Sequence, residues 1–92
     1  MDITPFVGSA VRELRDSAGI SQEELAYRAE LDRTYVSGIE RNRRNPSIRS
    51  LQRVADALDI GLDGLFLLAR QLAEVSSGRR SKTAGRSRGR RS

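Results

Sequence analysis

Between Ser21 and Arg41 the chain reads SQEELAYRAELDRTYVSGIER, and the spacing of its apolar residues leaves little choice of structure. Counting from Gln22, apolar side chains fall at Leu25, Ala29, Leu31, Val36 and Ile39, which suits the faces of two short helices and no strand. Ser21 and Glu24 form a capping box, in which hydroxyl and carboxylate satisfy each other's free amides. Asp32 is placed to cap the second of the two helices. Small Ala26 falls where two crossing helices press closest together. The pattern predicts a helix-turn-helix, whose second helix enters the major groove of DNA while the first braces it across the backbone. An ordinary helical hairpin has the same periodicity. The small residue, both caps and the arginine-rich exit at Arg41, Arg43 and Arg44 favour the helix-turn-helix.

The flanking sequence is helical too. Thr4-Pro5 reads as a cap followed by a proline, with Val7, Val11, Leu14 and Ala18 at helical spacing before Gly19 stops the helix. Pro46-Ser47 opens another helix, with Ile48, Leu51, Val54, Ala55 and Leu58 on one face. A last helix is expected from about Leu62 to about Val75. Nothing alternates with period two for long enough to make a strand. The expected fold is all-α, a compact bundle of five short helices.

Charge is distributed unevenly. Residues 79–92 carry seven cations and no acid, whereas residues 1–78 hold ten arginines against twelve carboxylates. The net +5 therefore describes a tail more than a domain. That tail has only Ser, Gly, Thr and Ala besides its charges and cannot bury enough apolar surface to order itself. The sequence divides into a DNA-binding and dimerisation domain over 1–76 and a disordered basic tail over 77–92.

Histidine and cysteine are both absent, which removes the usual general base, the thiolate nucleophile and the commonest metal ligands. No glycine-rich phosphate loop or metal-ligand cluster occurs either, so no enzyme, cofactor, metal or small-molecule ligand is expected. No apolar run approaches the roughly 18 residues that span a bilayer, and the N-terminus lacks a signal peptide's layout. A soluble, cytoplasmic protein is expected.

The segment from Gly19 to Phe66 resembles the Cro/repressor-type (XRE) helix-turn-helix family, which has a lambda-repressor-like DNA-binding fold. Within it, LDRTYVSGIERNRRNPSIRSLQRVADAL is most similar to the controller proteins of restriction–modification systems. The resemblance implies a homodimeric regulator on an inverted-repeat operator. Antitoxins and phage-type repressors, whose C-terminal helix grips a protein partner, are the alternative. A non-specific nucleic-acid binder led by the tail is less favoured, because RNA readers stack bases on aromatics and the tail has none. One departure matters: the turn residue, usually Gly, Asn or Ser in the family, is Glu30. The turn is expected to be either strained or rerouted.

On this register Arg33, Thr34 and Ser37 project from the exposed face of the recognition helix as candidate base contacts. Arginine can make two hydrogen bonds to guanine O6 and N7. Thr34 offers a hydroxyl and a methyl, and Ser37 is small enough for close approach. Arg33 could instead be a solvated charge or pair with Glu30. Gln22, at a helix N-terminus, suits a phosphate oxygen, and the resemblance implies that role. Arg43, Arg44 and Asn45 lie in the loop where family members clamp the backbone. Tyr35 could cover the core or touch the backbone, and Glu40 is expected to pair with a neighbouring cation rather than touch DNA. Leu65, Phe66, Leu68 and Leu72 are candidates for the dimer interface, because the last helix holds more apolar surface than so small a core absorbs.

Overall fold

The computed structural model describes residues 1–78. Five helices follow one another: α1 (Thr4–Ala18), α2 (Gln22–Ala29), α3 (Arg33–Glu40), α4 (Ile48–Ala57) and α5 (Leu62–Gly78). Among the described residues there is no strand, as the sequence predicts. α5 runs three residues past Val75, so Ser77 and Gly78 are helical rather than part of a disordered tail. The expected tail from residue 79 onwards lies outside the described residues.

The core forms where α1 packs on α3 and α5, α2 packs on α3 and α4, and α4 packs on α5. Val11, Leu25, Val36, Ile39, Val54 and Leu65 are its largest wholly buried side chains. Burying each removes roughly 1.5–3 kcal/mol worth of apolar surface from water. α1 meets α3 at unusually close range. A Cβ on Gly8 would overlap the Ile39 carbonyl, so only glycine lets the two backbones touch there.

Each of the first four helices closes in the same way. A residue with left-handed backbone follows the last turn, and the next amide returns to the carbonyl five residues earlier. The closing residues are Gly19, Glu30, Asn42 and Asp59, with φ of 73°, 59°, 63° and 59°. The returning bonds run from Ile20 to Arg15, Leu31 to Ala26, Arg43 to Gly38, and Ile60 to Ala55. Glu30 therefore takes the strained conformation, and the turn is not rerouted. Arg53 Nη1 lies 3.4 Å from the Glu30 carbonyl and helps to hold it.

Several sequence expectations about helix ends need correction. α1 begins after Ile3, with Thr4 already helical, and its free Thr4 amide bonds the Asp2 carboxylate at 3.0 Å. Ser21 does cap α2 through the Glu24 amide, but the Glu24 carboxylate pairs with Arg28 at 2.7 Å instead of returning to Ser21. Asp32 occupies the cap position of α3 without a side-chain bond. Ile48 is 62% exposed, because it follows the Ser47 cap on a first turn that faces away from the core. Ala18, at the end of α1, is likewise exposed.

Candidate nucleic-acid interface

α3 is buried on one face and open on the other. Val36 and Ile39 point into the core, while Arg33 and Thr34 are exposed and Ser37 is half-buried. The three candidate base contacts thus lie on the face that the core leaves free. Arg33 does not pair with Glu30. Its Nη1 lies 3.4 Å from the side-chain oxygen of Gln22, the first residue of α2.

Behind this face lies a buried ion pair that the sequence only half reveals. Glu40, the last residue of α3, keeps just 3% of its side chain exposed and pairs with Arg15 of α1, itself 12% exposed. The contact is two-pronged, Nε to Oε2 at 2.7 Å and Nη2 to Oε1 at 3.1 Å. Arg15 Nη1 also donates to the Ile20 carbonyl at 2.9 Å, beside the α1–α2 turn. The hydrogen bond that Arg15 donates to Glu40 raises the Arg15 pKa against the opposing pull of burial. A carboxylate at a helix C-terminus opposes the helix dipole, and the guanidinium offsets that repulsion. Glu40 is structural, as its isolation in a basic surface suggests. Its partner was not legible in the sequence, because the two residues lie 25 positions apart and meet only once α1 packs on α3.

Gln22 is half-buried, and both ends of its amide are engaged. Nε2 donates to Glu40 Oε1 at 3.0 Å, and Oε1 faces Arg33. The side chain is therefore not simply open to a phosphate.

Arg43, Arg44 and Asn45 are exposed in the loop between α3 and α4. Arg44 lies across α3 at Gly38, where a Cβ would collide with its stem. Its guanidinium carbon sits 5.8 Å from the Tyr35 ring centroid, worth about 0.5–1 kcal/mol for an exposed cation–π pair. Tyr35 is half-buried against the core, and its hydroxyl lies 3.4 Å from Ser50 Oγ on α4. It serves the core and at the same time holds an arginine of the loop.

On α5, Leu65 is wholly buried within one chain, so it offers nothing to a second chain and belongs to the core alone. Phe66, Leu68 and Leu72 are half-buried. Leu67 and Val75, part of the same apolar surplus on the last helix, are 56% and 62% exposed. Leu68, Leu72 and Val75 follow helical spacing, with Leu67 beside them. Among the described residues no helix is long and apolar enough to cross a membrane.

Comparison with known proteins places this geometry in context. Residues 11–65 match the helix-turn-helix family profile. Control protein C.BamHI of Bacillus amyloliquefaciens is 43% identical over 60 residues, covering 64% of this chain and 74% of that protein. The crystal structure of the restriction-modification controller protein C.AhdI from Aeromonas hydrophila superimposes with a TM-score of 0.67 at 46% identity, covering 68% of this chain and 96% of that one. The restriction-modification controller protein C.Esp1396I, solved as a tetramer in complex with its natural 35 base-pair operator, gives a TM-score of 0.71 at 37% identity, covering 77% and 93%.

Proposed function

The chain belongs to the helix-turn-helix family of transcriptional regulators, and from that premise we propose that it is a restriction–modification controller acting as a homodimer on an inverted-repeat operator. The observation that carries the reading is the open face of α3, where Arg33, Thr34 and Ser37 stand clear of a core closed by Val36 and Ile39. That face enters the major groove. Arg33 reads a guanine edge, Thr34 a thymine methyl or a hydrogen-bonding base edge, and Ser37 permits close approach.

Arg43, Arg44 and Asn45 grip the sugar–phosphate backbone beside it, with Tyr35 holding Arg44 in place. The C.AhdI and C.Esp1396I likenesses span nearly the whole of those controller chains, which supports the controller reading. The operator bound by C.Esp1396I supports double-stranded DNA as the ligand. Two chains meet through α5 and set their recognition helices about 34 Å apart, one turn of duplex. The protein works beside the DNA in the cytoplasm and has no catalytic role.

Arg33→Ala tests the reading. Binding to the operator should weaken by about 1–3 kcal/mol, with binding to unrelated duplex almost unchanged. Equal losses on both duplexes in a gel-shift titration would make Arg33 a backbone clamp.

A further inference from the structure

We propose that the cleft between the first turns of α1 and the α3–α4 loop binds a small carboxylate with a short apolar body, and that its occupant takes Arg44 away from the DNA backbone. The binding site stands on the cleft alone. The effect on DNA rests on the reading of Arg44 as a backbone clamp.

The cleft has a volume of about 240 Å³. At roughly 30 Å³ for each water-sized group, it has room for about eight non-hydrogen atoms. Its walls are apolar and come from four helices: Val7 of α1, Ile39 of α3, Leu51 of α4 and Phe66 of α5. An apolar body set against these side chains leaves water behind, which supplies the attraction.

The mouth is polar. Arg44 and Asn45 of the loop close one side of it, beside Asn42 at the end of α3. Neither asparagine side chain is hydrogen-bonded among the described residues, and the Arg44 and Asn45 amides return to no other backbone group. Donors are therefore left over. Arg44 brings a positive charge, and no carboxylate occurs among the described residues that line the cleft. That combination fits an anionic, planar acceptor, which a guanidinium can hold by two parallel hydrogen bonds. A second copy of the chain docked through the open leucines of α5 does not reach this place. At about 100° per residue, Phe66 stands roughly opposite Leu68 and Val75 around that helix.

The cleft and the proposed DNA contact share one wall. Arg44 lies across α3 at Gly38, with its guanidinium carbon 5.8 Å from the Tyr35 ring centroid, an exposed and weak attachment. A bound carboxylate competes with phosphate for that guanidinium. DNA then loses a contact that carries no sequence information.

The test uses the full-length protein, with hexanoate as the probe, hexanol as its uncharged counterpart and acetate to match ionic strength. Hexanoate should give saturable amide shifts in NMR at Val7, Asn42, Asn45 and Leu51, and none at Val75. It should bind roughly tenfold more tightly than hexanol, the worth of one charge-assisted hydrogen bond. Arg44→Gln should abolish that advantage, and Val7→Phe, which fills the cleft, should weaken both probes. DNA binding is read on an inverted-repeat duplex that the wild type selects from a random library, and on an unrelated duplex. At saturating hexanoate, affinity for both should fall by similar factors, with the slope of log affinity against log salt reduced by about 0.9.

The site is overturned by shifts that do not saturate, by equal affinity for hexanoate and hexanol, or by shifts centred on Val75. It is also overturned if dilution of the protein alone moves the cleft amides, since a second copy would then occupy the cleft. Should Val7→Phe fail to fold, Arg44→Gln and the hexanol comparison decide. Saturable binding in the cleft with unchanged affinity for both duplexes overturns the effect on DNA. Arg44→Gln binding both duplexes as tightly as the wild type would instead sink the clamp reading, an outcome distinct from failure of the cleft.

Discussion

Glu30 shows how one side chain can sit against its own backbone. Its φ of 59° costs a residue with a Cβ roughly 1–2 kcal/mol, and nothing about the glutamate side chain requires it. Glu30→Gly should therefore raise stability by about 0.5–1 kcal/mol after allowing for glycine's greater freedom in the unfolded chain. For a domain of this size that is a rise in Tm of about 2–8 °C, readable by thermal melting. An unchanged or lower Tm would show that the turn carries no strain. At this scale the sequence was informative where a residue acts alone. Arg33 and Thr34 do lie on the open face of α3. It was less informative where a residue acts through a distant partner. The contact between Arg15 and Glu40 spans 25 positions, and no local pattern pairs one particular arginine with one particular glutamate.

Among the elements, the helices were legible because each needs an apolar stripe and a stop, and both are written locally. Their ends were less so. The Thr4 and Asp32 side chains make no cap bond, and only one of the four left-handed closures falls on a glycine, with Asn42 and Asp59, which also tolerate that conformation, and Glu30 taking the others. α5 was also misjudged in part. Its periodicity shows that it has a buried face, but cannot say how much of that face α1 and α4 already cover. Leu65 went to the core, while Leu67 and Val75 were left open.

A prediction follows for the proposed dimer. Leu67→Glu with Val75→Glu should give a folded monomer with much weaker operator binding, since neither residue supports its own core. Leu68→Glu with Leu72→Glu should also break the dimer but lower Tm, because those leucines are half-buried within one chain. Sedimentation and circular dichroism separate the cases, and a Leu67/Val75 variant that stays dimeric removes α5's open face from the interface.

For the whole molecule the governing quantity is charge. Residues 1–78 are slightly acidic while residues 79–92 add seven cations, so the arginines around α3 act within a domain that does not itself attract DNA strongly. We propose that the tail supplies that attraction. Deleting residues 79–92 should lower affinity for operator and unrelated duplex by similar factors. It should also reduce the slope of log affinity against log salt by about 0.9 for each phosphate the tail neutralises. Preference between duplexes should survive. Identical slopes in a salt titration would leave the tail without a role in DNA binding.

The missing Cβ at Gly8 has a consequence for how such a protein can diversify. α3 is seated from behind by a backbone-to-backbone contact at Ile39, which makes no reference to the side chains on its outer face. Thr34 and Ser37 can be exchanged for other residues without shifting the platform that carries them. On the proposed reading, new sequence preferences are open to single substitutions on an unaltered frame, whereas a Cβ at position 8 would meet the Ile39 carbonyl and force α1 and α3 to shift.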